Sequence, residues 1–112
     1  MSNYIEGKDC IFCKIIKGEI PSKFIKENEY CVVFADLNPK AKVHLLIVPK
    51  PHAKNILEID DFLMGKVLET IKEVAKEQGL DSFRIINNCG AGAGQTVFHV
   101  HFHLLHDDNL EE

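Results

Sequence analysis

Histidine recurs at every second position in His99-Val100-His101-Phe102-His103, directly after the glycine-rich run Cys89-Gly90-Ala91-Gly92-Ala93-Gly94-Gln95-Thr96. In an extended strand side chains alternate between faces, so the three imidazoles are expected on one face, with Val100, Phe102 and Leu104 directed into a core. Neighbouring imidazoles would then lie about 6.6 Å apart along the strand and the outer pair about 13 Å, whereas zinc takes each nitrogen at about 2.0–2.1 Å. Two of the three can share an ion, but not all three, and the remainder are left for other chemistry. With an unperturbed pKa of about 6.5, imidazole is a nucleophile near neutral pH, and its attack on phosphorus gives a phosphohistidine that water cleaves. The middle residue, His101, has an imidazole on either side to hold phosphate oxygens or relay a proton to the leaving group, which makes it the first choice as nucleophile. The glycine run would let main-chain N–H groups approach phosphate oxygens, with Gln95 and Thr96 as side-chain donors. It lacks the lysine of the GxxxxGK[ST] pattern and is not a P-loop. The bland alternative is a polar sheet face that happens to use histidine; the strict spacing beside a glycine-rich loop weighs against it.

Cys10 and Cys13 have the C-x-x-C spacing of half a tetrahedral zinc site, which needs two further N or S ligands from elsewhere in the chain. The alternative is a pair of reduced thiols packed in the first turn of a helix; a redox pair is disfavoured because no thioredoxin-like βαβ pattern surrounds it. Cys31 opens an apolar strand and reads as a small core residue, while Cys89, beside Asn88, fits either a buried or an exposed thiol. His44 opens the apolar run Val43–Val48, where a structural and a catalytic histidine fit equally well. His106 breaks the two-residue spacing and reads as a solvated terminal residue. By themselves Asp36 reads as a turn residue before Asn38-Pro39, and Phe34 and Leu37 as core.

These residues need a scaffold, and 112 residues with 46% hydrophobic content suffice for one domain, spanning 1–112 with a core from about Lys8 to Leu105 and polar ends. A short helix is expected after Asp9 as cap, with Ile11, Phe12, Ile15 and Ile16 on one face and Gly18 as its stop. Lys23–Lys26 and Tyr30–Phe34 read as a hairpin, and Val43–Val48 as a buried strand stopped by Pro49 and Pro51. A long helix from about Asp61 to Gln78, capped by Asp60 or Asp61, carries Leu63, Val67, Leu68, Ile71, Val74 and Ala75 at three- and four-residue steps, with Gly79 at its C′ position. Phe83–Asn87 and Val97–Leu105 complete five strands. Strands outside βαβ alternation favour an α+β domain, an antiparallel sheet with helices on one side. A net charge of -4 provides no basic footprint for nucleic acid or an anionic membrane. No apolar stretch approaches the ~18 residues of a membrane span, and Met1-Ser2-Asn3-Tyr4-Ile5-Glu6 lacks the regions of a secretory signal, so a cytoplasmic protein is expected.

His99-Val100-His101-Phe102-His103-Leu104-Leu105, led by Gly94-Gln95-Thr96-Val97, resembles the signature of the histidine triad family. Cys10–Ile16 through Ile20-Pro21-Ser22 is similar to the N-terminal block of its bacterial members and Hint branch. Phe34–Pro39 and His44–His52 are similar to its central blocks, so the resemblance covers nearly the whole chain. It implies a five-stranded antiparallel sheet with one long and one short helix, joined to a second copy as a ten-stranded sheet in a homodimer. It also implies hydrolysis or transfer at the α-phosphorus of purine nucleoside phosphoramidates through a nucleotidyl-histidine, the activity of an adenosine 5'-monophosphoramidase. By matching position, His101 becomes the nucleophile and His103 and His44 contact phosphate or leaving group. Asp36 would hold the ribose hydroxyls and Phe34 and Leu37 the base, while Asn88, Gln95 and Thr96 would bind phosphate and leaving group, with Gly94 and Val97 as further nucleotide-binding residues. A structural zinc ion would take Cys10 and Cys13 with His52 and His99. Thr96 stands where the Hint branch often has serine and dinucleoside polyphosphate hydrolases often have threonine, which keeps that second activity in view. A zinc-stabilised nucleotide-binding protein with incidental catalysis is the alternative outside enzymology. The short acidic end Asp107–Glu112 replaces a longer segment of some members and leaves the leaving group open.

Overall fold

Alternating and continuous apolar runs decide the architecture of this chain, whose computed structural model describes residues 10–111. Lys8 and the expected cap Asp9 lie outside the described residues. The elements are α1 (Ile11–Ile16), β1 (Lys26–Glu27), β2 (Cys31–Ala35), β3 (Val43–Pro49), α2 (Asp61–Glu77), β4 (Arg84–Ile86), a 3-10 turn at Ala91–Ala93 and β5 (Phe102–His106). The strands form one five-stranded sheet in the order β1-β2-β3-β5-β4, with every pairing antiparallel.

β3 is buried continuously from His44 to Pro49, so both its faces need cover. On one face Cys31, Val33, Leu45, Ile47, Phe102 and Leu104 pack against Leu63, Val67, Ile71, Val74 and Ala75 of α2. On the other, Val32, Phe34, Leu46 and Val48 pack with Phe12 of α1. The two helices therefore cover opposite faces, which corrects the expectation of helices on one side; a strand apolar in both registers requires it.

Local chemistry sets the ends of the elements. Asp60 accepts from the Leu63 N–H at 3.1 Å to start α2. Gly79, at φ +71, ends it with the paired bonds of a Schellman motif, Leu80 N–H to Ala75 O and Gly79 N–H to Lys76 O. Leu68, expected in the buried stripe, is half exposed, and Thr70 is buried in its place. Its hydroxyl donates to the Lys66 carbonyl at 2.8 Å and accepts from Asn28 Nδ2 at 3.0 Å. Asn28 Oδ1 in turn accepts from the N–H groups of Tyr30 and Cys31, closing the β1–β2 turn. β1 begins three residues later than expected. Ile11 is exposed, leaving Phe12 and Cys13 as the buried residues of α1.

β5 starts at Phe102 rather than Val97, because the main chain before it is bonded elsewhere. Val100 N–H donates to the Ala53 carbonyl, Asn87 Nδ2 donates to the His101 carbonyl, and Pro49 lacks the N–H that would continue the ladder. His106 belongs to β5, half-buried with its ring on the Ser82 carbonyl, and is not a solvated end. Among the described residues no helix is long and apolar enough to cross a membrane.

Replacing Thr70 by Val keeps the shape but leaves the Asn28 amide without its acceptor, and is expected to cost about 1–2 kcal/mol in urea unfolding. An unchanged midpoint would mean that the Asn28–Thr70 pin contributes nothing to stability.

Candidate functional site

The strand register brings the histidines together on the face that carries α1. Leu46 pairs with His103 and His44 with Leu105, so His44 and His103 are diagonal neighbours on that face. Their rings lie 5.1 Å apart, and His44 Nε2 is 2.9 Å from His103 Nδ1. His101, just before β5, sits two residues away on the same side, its ring 5.2 Å from that of His103. Alternation across faces thus holds for His101 and His103 even though the ladder begins between them.

Main-chain groups assign the proton of each ring. The Lys40 N–H donates to His44 Nδ1 at 3.0 Å, so neutral His44 carries its proton on Nε2 and donates it to His103 Nδ1. His103 then carries its own proton on Nε2. His101 faces the His99 carbonyl with Nδ1 at 2.8 Å, so Nδ1–H donates there and Nε2 keeps its lone pair. Burial pushes His103 down to about 4, helped by the positive forms of His101 and His44 and opposed by Asp36. Burial also lowers His101, against the opposing pull of the His99 carbonyl and Asp36. At neutral pH both rings are therefore uncharged.

Asp36 is a turn residue, as its position before Asn38-Pro39 suggests, and it also lies beside the histidines. Oδ1 accepts from the Asn38 N–H at 2.8 Å in a turn, while Oδ2 lies 3.5 Å from His44 Nε2. The ligand atoms of Asp36, His44 and His103 are close enough to suit a metal ion, but the protonation pattern argues against one. An ion on His44 Nε2 would move the proton to Nδ1 and set two donors, that N–H and the Lys40 N–H, against each other.

A second cluster differs in this respect. Cys10, Cys13, His52 and His99 converge with all ligand atoms within 4.8 Å. The sulfur–nitrogen separations are 3.3 Å for Cys10–His99, 3.5 Å for Cys13–His52 and 3.5 Å for Cys13–His99, and His52 Nδ1 lies 3.2 Å from His99 Nδ1. A tetrahedron with Zn–S of about 2.3 Å and Zn–N of about 2.0–2.1 Å has S···N edges of about 3.5 Å and N···N edges of about 3.3 Å. His99 Nε2–H donates to the Pro49 carbonyl at 2.7 Å, so Nδ1 offers its lone pair to the cluster. Burial holds His99 down at about 4, against the pull of that carbonyl. The donor set fits zinc.

The glycine-rich loop corrects two expectations. The N–H groups of Ala93, Gly94 and Gln95 bond within the loop, and that of Gly90 bonds to Gln95 Oε1, so these four are not directed at a phosphate. Gln95 is buried, and Nε2 donates both its hydrogens, to the carbonyls of Lys54 and Val97. Its amide braces the loop and has no donor left for a ligand. Asn88 Nδ2 donates to the Ala93 carbonyl, and Gly94, at φ +94, holds a left-handed conformation that favours glycine. Thr96 is exposed, and neither Asn88 nor Thr96 is hydrogen-bonded to an imidazole. Val97 packs against the cluster of Phe12, Val32, Phe34, Leu46 and Val48, and Phe34 is buried in β2 rather than open to a ligand. Leu37 is 94% exposed, so its default reading as core is wrong. Cys31 is core, as expected, and Cys89 is half-buried.

Sequence reasoning gave no role to Phe12 and could not see the Lys40 N–H or the Pro49 carbonyl. Phe12 was marked by its place between two cysteines; main-chain partners leave no trace in residue types.

The pattern that defines the HIT domain matches residues 17–110 of the chain. An uncharacterized HIT-like protein of Methanocaldococcus jannaschii is 46% identical over 99 residues, 86% of this chain and 77% of that protein. Adenosine 5'-monophosphoramidase HNT1 of Saccharomyces cerevisiae is 44% identical over 96 residues, 86% of this chain and 61% of the yeast protein. The solved structure of a HIT family hydrolase from Clostridium thermocellum superposes with a TM-score of 0.90 at 40% identity, covering 96% of this chain and 97% of that one.

Two outcomes follow from the protonation pattern. Long-range 1H–15N spectra at neutral pH are expected to show Nδ1 of His44 and His103 unprotonated and Nδ1 of His101 protonated; the reverse tautomer at His44 would refute the assignment. Because the folded pKa of His103 lies below its unfolded value of about 6.5, the unfolded chain binds more protons between about pH 4 and 6.5. Its share of stability is full above about pH 6.5 and is lost toward pH 4, so His103→Asn is expected to flatten the fall in urea midpoint over that range.

Proposed function

The chain belongs to the HIT domain family, and from that premise we propose that it hydrolyses purine nucleoside phosphoramidates, releasing a nucleoside monophosphate and an amine. The observation that carries the proposal is the pairing of His101, whose Nε2 lone pair is available, with His103 beside it, whose Nε2 bears a proton. Nε2 of His101 forms a bond to the α-phosphorus as the P–N bond of the substrate breaks, and the amine departs with that electron pair. The negative phosphate offsets the burial that keeps His103 neutral, so the His44–His103 pair carries an extra proton in the substrate complex. His103 passes that proton to the departing amine. Water then attacks the nucleotidyl-histidine, its oxygen bonding to phosphorus as the P–Nε2 bond breaks, and its proton returns to the pair.

In this reading Asp36 takes the ribose hydroxyls while staying near His44, the exposed Leu37 is covered by the base, and the Thr96 hydroxyl meets the leaving group. Asn88, Gly94 and Val97 shape the phosphate side, with Gln95 acting through the loop it braces. Cys10, Cys13, His52 and His99 would hold a structural zinc ion, which ties the N-terminal helix to the sheet when bound. Pairing of two copies along the exposed edge of β4, where Ile85 is 38% exposed, would give the ten-stranded homodimer. The relative from yeast carries the phosphoramidase name, whereas threonine rather than serine at position 96 keeps dinucleoside polyphosphates as the second substrate class.

The test is AMP release from an adenosine phosphoramidate, with diadenosine polyphosphates as competitors. A His101→Ala variant confirmed to be folded is expected to lose on the order of 10³-fold or more in kcat/KM. A parent inactive on phosphoramidates would sink this reading, and preference for the polyphosphate would install the second. Tight AMP binding without turnover of either would leave a nucleotide-binding protein. Elemental analysis is expected to find one zinc per chain, lost in Cys13→Ser together with several degrees of Tm; unchanged Tm after complete chelation would remove the structural role.

A further inference from the structure

Phe12 lies between the two cysteines of the C-x-x-C segment and touches both centres of chemistry. It is buried, and its ring stands edge-on to His101 at 5.1 Å and 88° and to His99 at 6.0 Å and 68°. Behind it Phe34 is edge-on at 5.7 Å, and Phe34 stacks on Phe24 at 6.4 Å. Among the described residues the imidazole of His101 is held by one hydrogen bond, from Nδ1 to the His99 carbonyl. A single bond at one ring atom leaves a hinge, and the rings of Phe12 and His103 pack beside it at 5.1 Å and 5.2 Å. Where Phe12 sits depends on α1, a helix of six residues, too short to hold its shape without tertiary support. That support is the cluster of Cys10, Cys13, His52 and His99, whose cysteines bracket Phe12. His99 enters twice, giving its ring to the cluster and its carbonyl to His101.

We infer that Phe12 is a positioning residue that transmits the state of the Cys10–Cys13–His52–His99 cluster to the imidazole of His101. The inference rests on the zinc and nucleophile readings above, and its consequence is that the rate of the chemical step depends on an ion that never meets the substrate.

The test compares the zinc-loaded and chelated protein, as parent, Phe12→Leu and Phe24→Leu, by NMR of the His101 ring protons and by steady-state kinetics on an adenosine phosphoramidate. In the loaded parent those protons are expected to give one narrow set of ring-shifted lines, displaced and broadened on chelation. Phe12→Leu is expected to have displaced lines even with zinc bound, and kcat lower by about 10-fold or more with KM within about twofold. Phe24→Leu, which touches Phe34 but not His101, is expected to change neither. A Phe12→Leu variant that raises KM and keeps kcat would make Phe12 only a wall of the pocket. His101 lines unmoved by chelation would overturn the transmission, as would a parent that takes up no zinc. Should no phosphoramidate be turned over, the reaction reading fails separately, and the His101 lines still decide whether Phe12 couples the two sites.

Discussion

The hydrogen bond from His99 Nε2 to the Pro49 carbonyl is the constraint on which the rest of the site depends. It fixes a ring that has only one proton when neutral, so the other nitrogen must face the cysteines as an acceptor or ligand. It also holds the main chain of residue 99 against the end of β3, which puts the His99 carbonyl where His101 can donate to it. Proline is suited to the acceptor position, because a residue with no N–H stops the ladder while its carbonyl remains open to a side chain. One contact thereby leaves the Nδ1 lone pair of His99 facing the cysteines and, through the His99 carbonyl, fixes the tautomer of His101 two residues on.

The sheet divides labour between its faces. The α2 face is apolar, with Thr70 the one buried polar side chain that α2 contributes and its hydroxyl paired on both sides. The α1 face interrupts its apolar floor of Val32, Leu46 and Val48 with His44 and His103 toward one end, and its helix is small. Burying one phenylalanine contributes about 1.5–3 kcal/mol, whereas ordering each residue of backbone costs about 1–2 kcal/mol. Six residues cannot be held on those terms by Phe12 alone. A cluster of two thiols and two imidazoles at tetrahedral spacing is the added attachment.

Much of this was legible in residue types. The two-residue spacing of the histidines, the steps of α2 with Asp60 and Gly79 at its ends, and the C-x-x-C pair each carry their own geometry. The extent of β5 was not legible, because what stops it is a proline fifty residues earlier and an asparagine amide on the neighbouring strand. Nor was the role of Gln95: a polar residue after glycines reads as a phosphate donor, and only the fold shows both of its hydrogens already bonded. Leu68 and Thr70 exchanged places for a similar reason, since helical spacing admits either, and Asn28 supplies the partner that lets the threonine be buried. His106 was misread because its partner, the Ser82 carbonyl, is main chain.

The protonation pattern explains why burial favours this chemistry rather than hindering it. A nucleophilic imidazole must be neutral, and a general acid must be able to take a proton when needed. Desolvation lowers both His101 and His103 in the free protein, which keeps His101 ready but leaves His103 short of a proton. A phosphate brings negative charge to the same enclosed space, and its attraction acts on whichever ring can accept. On the phosphoramidase proposal His101 cannot serve: Nδ1 is bonded to a carbonyl, and Nε2 would meet the phosphorus. The proton taken up with substrate would then go to the His44–His103 pair, where Asp36 is already near. Substrate binding would itself separate one buried imidazole as nucleophile from another as acid.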